Sequence, residues 1–274
     1  MRALTFEETK QIELGILSYF ADFCERNGLR YFLAYGTLIG AIRHKGFIPW
    51  DDDIDIQMPR EDYRRLIQLF NAENDSPYRL IEPYDAASCY TIVKIVDTRT
   101  LKREEGIKMD SAGVDIDIFP LDGMPTSDRA YRKWYKKLIR TYKLHLVLQT
   151  ESKGSFKFRT KLFLQKAWTF LKFGSLKKEK ILKKAEKLHA PYPYEACEMV
   201  GIAECCFNGP KNRVKKVWFD GFEYAPFENT QFRVPIGYDE ILKAIYGDYM
   251  RLPPLEQQVT HHRNNVYWKE GENE

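Results

Sequence analysis

Gly36-Thr37-Leu38-Ile39-Gly40, followed by Asp51-Asp52-Asp53-Ile54-Asp55-Ile56, is the stretch on which the reading of this chain turns. Four carboxylates within five residues repel one another. At ~4 Å each like-charge pair costs about 1 kcal/mol in water and about 4 kcal/mol at an effective dielectric of 20. Ile54, Ile56 and Met58 alternate with polar residues at the period of a strand. On such a strand Asp51, Asp53 and Asp55 share one face, with neighbouring carboxylates roughly 7 Å apart. A divalent cation between Asp53 and Asp55 turns that repulsion into binding. Mg²⁺ takes one or two carboxylates together with substrate phosphates, so the cluster points to a phosphorylated ligand. A solvated acidic turn has no use for the alternating Ile residues or for Pro49-Trp50 just before them. An EF-hand loop counted from Asp51 needs Gly and Glu where Ile56 and Asp62 stand, which excludes that calcium site.

A second acidic strand supports the first. Gly113-Val114-Asp115-Ile116-Asp117-Ile118-Phe119-Pro120 alternates in the same way and puts Asp115 and Asp117 on one face. Between the two, Tyr78–Ile81 and Tyr90–Val96 read as strands. Lys94 lies among apolar residues of the latter and needs an anion if buried: a donor phosphate, or an Asp of the cluster. Thr5-Phe6-Glu7-Glu8 is a capping box opening an amphipathic helix that stops at Asn27-Gly28. Tyr31–Ala34 is a short strand, and Leu38–His44 one or two helical turns whose N-terminus near Thr37 suits an anion. Gly36 and Gly40 permit either close approach of a phosphate or tight packing. Pro59 opens a helix to about Asn71, and Tyr238–Tyr246 another that ends at Gly247. Val217–Asp220, Phe222–Tyr224 and Gln231–Pro235 read as strand or edge structure.

Composition bounds the rest. The 274 residues are 44% apolar and 30% charged, enough for one large domain or one with a helical annex. No run of 18 apolar residues exists, which excludes a spanning helix, and the N-terminus is too acidic for a signal peptide. Five cysteines without C-x-x-C spacing read as reduced thiols, and hence as a cytoplasmic protein. Residues 129–187 hold 19 Lys and Arg against 3 Asp and Glu, a net of +16, and the remainder carries −12. That segment reads as basic helices over 129–148, 156–173 and 176–188, with Trp134, Leu138, Trp168, Phe170 and Leu171 as apolar stripes. It is either a solvated annex or an in-plane membrane surface on the inner face of the cell membrane. No nucleic-acid module accompanies it, so nucleic acid is not an expected partner.

A Gly-Thr turn, an Asp-x-Asp strand and a later strand carrying another Asp resemble the nucleotidyltransferase-like fold. The expected class is therefore α/β (α+β): a mixed sheet flanked by helices, with the basic annex appended. The expected division is a core over 1–126, the annex over 127–190, and a C-terminal part over 191–274 packing back on the core. YGTLIGAIRHKGFIPWDDDIDIQMPREDY over residues 35–63 more specifically resembles the LicD family of phosphotransferases. Val93-Lys94-Ile95, Asp117-Ile118-Phe119-Pro120-Leu121-Asp122 and Tyr246–Pro254 continue the likeness, which carries little over about 129–215.

The resemblance implies transfer of a phospho-alcohol from a CDP-alcohol, typically phosphocholine from CDP-choline, to a hydroxyl of a cell-surface glycan, with release of CMP. The acceptor would be of teichoic acid, lipopolysaccharide or capsule type and in some cases lipid-linked. It implies Mg²⁺, or Mn²⁺, on Asp53, Asp55 and Asp117, with Gly36, Thr37 and Lys94 on the donor phosphates. Asp117 is preferred to Asp115 because it falls on the family's Asp-Ile-Phe-Pro motif, and it either ligates metal or accepts the acceptor proton. Tyr35 and Trp50 are candidates for a quaternary ammonium, which needs an aromatic face. Asp51, Asp115, Arg43, His261 and His262 are further candidates. Some eukaryotic relatives carry zinc, for which Cys197, Cys205 and Cys206, with His189, could be proposed, although the spacing matches no closed zinc pattern. Two other classes compete: nucleotidyl transfer from an NTP, which would release pyrophosphate, and a non-enzymatic membrane- or polyanion-binding protein with a retired site.

Overall fold

The computed structural model describes residues 1–72, 76–85, 90–104, 113–149, 156–173, 178–203, 206–260 and 264–269. In chain order these form β1 (Arg2–Ala3), α1 (Phe6–Asn27), β2 (Phe32–Leu33), α2 (Tyr35–Ile39), β3 (Asp55–Pro59), α3 (Arg60–Leu69), β4 (Tyr78–Ile81), β5 (Val93–Asp97), β6 (Thr100–Glu104) and β7 (Val114–Met124). Helices α4 (Asp128–Gln149), α5 (Phe156–Phe173) and α6 (Lys178–His189) come next. Then follow β8 (Met199–Ile202), β9 (Val214–Lys215), β10 (Phe222–Phe227), β11 (Thr230–Pro235), α7 (Tyr238–Tyr246) and β12 (Asn264–Trp268). The fold is the mixed α/β class the patterning implies.

The sheet runs β2-β3-β7-β5-β4, with β8 and β9 continuing beside the far end of β7. β3 and β7 are parallel, with Asp55 opposite Asp117, and the other pairs are antiparallel. The second acidic strand was expected to close the sheet; it is instead the central one. Its eleven residues are long enough for β5 to pair with Val114–Ile118 and β8 with Leu121–Met124 along the same edge. Ile116, Ile118 and Leu121 are buried there, as a strand covered on both faces requires.

Helix α1 is started by the capping box, Thr5 Oγ1 accepting from the Glu8 N–H while Glu8 Oε2 accepts from the Thr5 N–H. It buries Ile16, Leu17, Phe20 and Phe23 completely against the sheet. The hairpin β10–β11 adds Phe227, Phe232 and Val234 to the same core. Val217–Asp220, expected as strand or edge, is instead a 3₁₀ turn over Lys216–Phe219 leading into that hairpin.

The basic helices divide in a way their stripes do not foretell. Trp134 and Leu138 of α4 are buried with Leu182 and Ala185 of α6 and Met124 at the end of β7. The Trp134 indole donates to the Leu188 carbonyl at 2.7 Å. Trp168, Phe170 and Leu171 of α5 are exposed. Where α6 meets the sheet, Arg60 forms a bidentate pair with Asp122 (2.8 and 2.6 Å), and His189 Nδ1 lies 3.6 Å from the same carboxylate. His189 is buried, with Nδ1 towards Asp122 and Nε2 without a hydrogen-bond partner. Cys205 and the side chain of Cys206 lie outside what the structure describes. No helix among the described residues is long and apolar enough to cross a membrane.

Candidate active site

The acidic centre forms where β2 turns away from β3. The Ala34 N–H donates to the Asp55 carbonyl at 2.9 Å, and the chain then turns through Tyr35 at φ 44°. Thr37 Oγ1 accepts from the Asp55 N–H at 2.8 Å, and the Asp117 N–H donates to the Ile54 carbonyl at 2.8 Å. Asp55 is thus held from both sides and faces Asp117 across two adjacent parallel strands. Strand pairing starts at Asp55, not at Asp51 as the alternation suggested, with both β2 and β7. The Asp51 N–H instead closes a turn onto the Ile48 carbonyl at 3.0 Å.

That turn gathers Asp51, Asp52 and Asp53, whose carboxylates lie within 4.8 Å of one another. A Cβ at Gly36 would collide with the Asp51 carboxylate. The glycine therefore makes room for this side chain. At Gly40 the tight-packing alternative holds, since a Cβ would strike the Gly46 carbonyl. The helical turn also begins earlier than expected, at Tyr35, and runs on as a π-helical turn over Gly40–His44.

The two carboxylates of β7 are treated oppositely. Asp115 is deeply buried and takes both Lys94 and Lys102 (the latter at 2.7 Å). Burial alone would raise its carboxyl, but the two ammonium groups hold it down to about 2. Asp117 shares only Lys94, at 2.5 Å, and burial outweighs that charge, so its carboxyl is raised. Asp55 is pushed well above the usual carboxylate range by burial and then by Asp53, Asp117 and Asp51. Asp51, Asp53, Asp55 and Asp117 thus form a group of mutually repelling carboxylates of the kind that could hold a divalent cation. Lys94 itself is engaged with Asp115 and Asp117 and lies 4.2 Å from the centre of the Tyr90 ring. Of its two expected partners the structure shows the carboxylates, because cross-strand register sets Lys94 directly opposite Asp117.

The other expected residues scatter around this centre. Arg43 Nη1 donates to the carbonyls of Tyr249 (2.6 Å) and Arg251 (3.4 Å), which ties the first sequence motif to the C-terminal one. Tyr35 is half-buried, its hydroxyl accepting from Asn212 and its ring edge-on to Phe119. Trp50 is half-buried and edge-on to His44. His261 and His262 lie outside the described residues.

Two residues were missed. Tyr246, at the end of α7, is 43% exposed, and its phenol lies within electrostatic reach of Asp55, Asp51 and Asp53. Its only sequence signal was membership of the C-terminal motif. Glu13 of α1 is 1% exposed, neither of its oxygens has a hydrogen-bond partner, and it lies within electrostatic reach of Lys102, Asp115, Asp53 and Asp52. Its signal was a carboxylate three and four residues from Ile16 and Leu17, on the apolar stripe.

Burial pushes the Glu13 carboxyl well up, so the folded protein binds its proton more tightly than the unfolded chain does. Its contribution to stability is full below the unfolded value and is lost as pH rises through the folded one. Glu13→Gln removes that loss. Urea unfolding should show the variant gaining on the native protein by about 1–3 kcal/mol between pH 5 and 8. A gap that does not change with pH would show that Glu13 is satisfied in solution.

Comparison with known proteins fits this geometry. Residues 28–150 match the family model described as LicD/FKTN/FKRP, nucleotidyltransferase domain. The lipopolysaccharide cholinephosphotransferase LicD of Haemophilus influenzae is 36% identical over 270 residues, 97% of this chain and 99% of that protein. The chain belongs to the LicD family. The human ribitol 5-phosphate transferase FKRP is 41% identical over 76 residues, 28% of this chain and 14% of that protein. The yeast mannosyltransferase regulator 4 is 40% identical over 57 residues, 21% of this chain and 5% of that protein. The family-model span, residues 28–150, contains Asp51–Asp55 and Asp117, whereas Glu13 and Tyr246 fall outside it.

Proposed function

We propose that this LicD-family protein moves phosphocholine from CDP-choline to a hydroxyl of a cell-surface glycan. The observation that carries the reading is the Asp55–Asp117 pair, opposed in register beside Asp51–Asp53, with both carboxyls raised. The near full-length similarity to a lipopolysaccharide cholinephosphotransferase supports the choice of alcohol and acceptor class. Asp53, Asp55 and Asp117 offer hard oxygen donors that fit Mg²⁺, and Mn²⁺ fits the same set. When bound, the cation would neutralise charge on the phosphoryl oxygens.

The acceptor oxygen forms a new bond to the choline-bearing phosphorus as the bond to CMP breaks. The chain's part is to position and to balance charge. Thr37 fixes Asp55 through its backbone, and Lys94 orients Asp117. Gly36 and Thr37 adjoin Asp51 and Asp55 and are retained as donor-phosphate contacts. Lys94 acts on the donor only through the carboxylates it holds. A raised carboxyl such as Asp117 also suits receipt of the acceptor proton, provided it is not ligating metal at that moment.

Tyr35 and Trp50 are the aromatic faces assigned to the trimethylammonium group. A cation over an aromatic face gains roughly 0.5–2 kcal/mol. Trp50→Ala is therefore expected to weaken CDP-choline by up to about thirtyfold, and CDP-ribitol much less. CMP release from a panel of CDP-alcohols measures both. Equal losses for the two donors would remove Trp50 from the choline site. Activity with CDP-ribitol alone would favour the alcohol named for the human relative. Pyrophosphate released from an NTP, in place of CMP, would overturn the reaction class.

A further inference from the structure

We propose that α5 docks this protein in the plane of an anionic lipid surface. The inference rests on α5 alone and not on the choice of donor. Phe163, Leu164, Trp168, Phe170 and Leu171 are all exposed, Leu171 by 82% and Phe163 by 69%. At about 3.6 residues per turn these five fall within roughly 160° of the helix circumference. Lys161 borders that arc on one side and Lys166 on the other. Phe156–Phe173 contains five Lys and Arg and no Asp or Glu.

Large exposed apolar faces on a folded protein mark a binding surface. Since no described helix can span a bilayer, the fitting mode is an interfacial helix, with apolar side chains in the acyl boundary and cations at the headgroups. Charge decides the occupant. A second copy would set one basic helix against another, whereas an anionic leaflet complements both the helix and the net +16 of residues 129–187. The buried stripe of α4 and α6 leaves α5 as the part of the annex that presents this face.

The test uses the full chain and sedimentation with vesicles. Binding is expected to equimolar phosphatidylglycerol and phosphatidylcholine and not to phosphatidylcholine alone. It should weaken as salt shortens the Debye length from about 10 Å at 0.1 M to about 3 Å at 1 M. Phe163→Ser/Leu171→Ser should lower the partition coefficient at least about tenfold. Lys161→Gln should lower it about fivefold. Acyl chains carrying bromine should quench tryptophan emission in the native protein, and Trp168→Phe should lose most of that quenching, which gives a readout independent of the double variant's folding. Failure to bind anionic vesicles, or full binding by the double variant, would overturn the proposal. So would a dimer in sedimentation velocity that Leu171→Ser dissociates, since the face would then belong to a second copy.

Discussion

Asp53→Asn and Asp55→Asn are each expected to abolish transfer while leaving the protein at least as stable as before. On the proposed function each change removes one hard oxygen donor and one negative charge from the site. Loss of a single preorganised electrostatic group of this kind costs about a hundredfold to a thousandfold in turnover. Ordinary active-site losses often come with weakened folding, and here the opposite is expected. Asp55 is raised by burial and by three neighbouring carboxylates, so its charge opposes the fold. Asp115→Asn is the contrasting control. That carboxylate is held by Lys94 and Lys102, and its neutralisation takes the paired carboxylate from buried Lys102 and leaves Lys94 with Asp117 alone, a loss of up to about 3–5 kcal/mol. CMP release and thermal unfolding on the three variants separate the two roles. Full activity of either variant at Asp53 or Asp55, or of the native protein in EDTA, would remove the carboxylates from the chemistry.

What was legible in the sequence was local. Alternation placed Asp115 and Asp117 on one strand face, the capping box opened α1, and the Gly36-Thr37 turn was set next to the Asp cluster. What was not legible depended on partners far away in the chain. The start of β3 at Asp55 depends on its pairing with β2 and β7, which the alternation of Ile54 and Ile56 cannot report. The partner of Lys94 is decided by the register between β5 and β7. Glu13 reaches the carboxylates because α1 packs over the sheet, and Tyr246 because α7 folds back from the other end of the chain. The apolar stripes of residues 129–187 look alike in sequence. Packing against Met124 and Leu182 makes a core of Trp134 and leaves Trp168 exposed.

Lys94→Met is expected to cost up to about 3–5 kcal/mol of stability, because it leaves the buried Asp115 with Lys102 alone and takes the ion-pair partner from the partly exposed Asp117. A lysine serving only to bind a donor phosphate would behave differently: its loss would raise KM and leave unfolding unchanged. Lys94→Met/Asp115→Asn distinguishes the two. If the ion pair is what matters, removing both partners costs less than the sum of the single changes, the difference being their coupling energy. If the two act apart, the costs add. The acid limb gives a second readout. Asp115 is held down to about 2, below the unfolded value of about 3.9, so its contribution to stability is present above pH 4 and is lost as pH falls towards 2. In Lys94→Met only Lys102 remains to hold the charge. The Asp115 carboxyl should then rise, and the loss of stability over that window should shrink. Urea unfolding at neutral pH and along the acid limb measures both effects. Unchanged stability together with a large rise in KM would return Lys94 to the donor and remove it from the scaffold of the site.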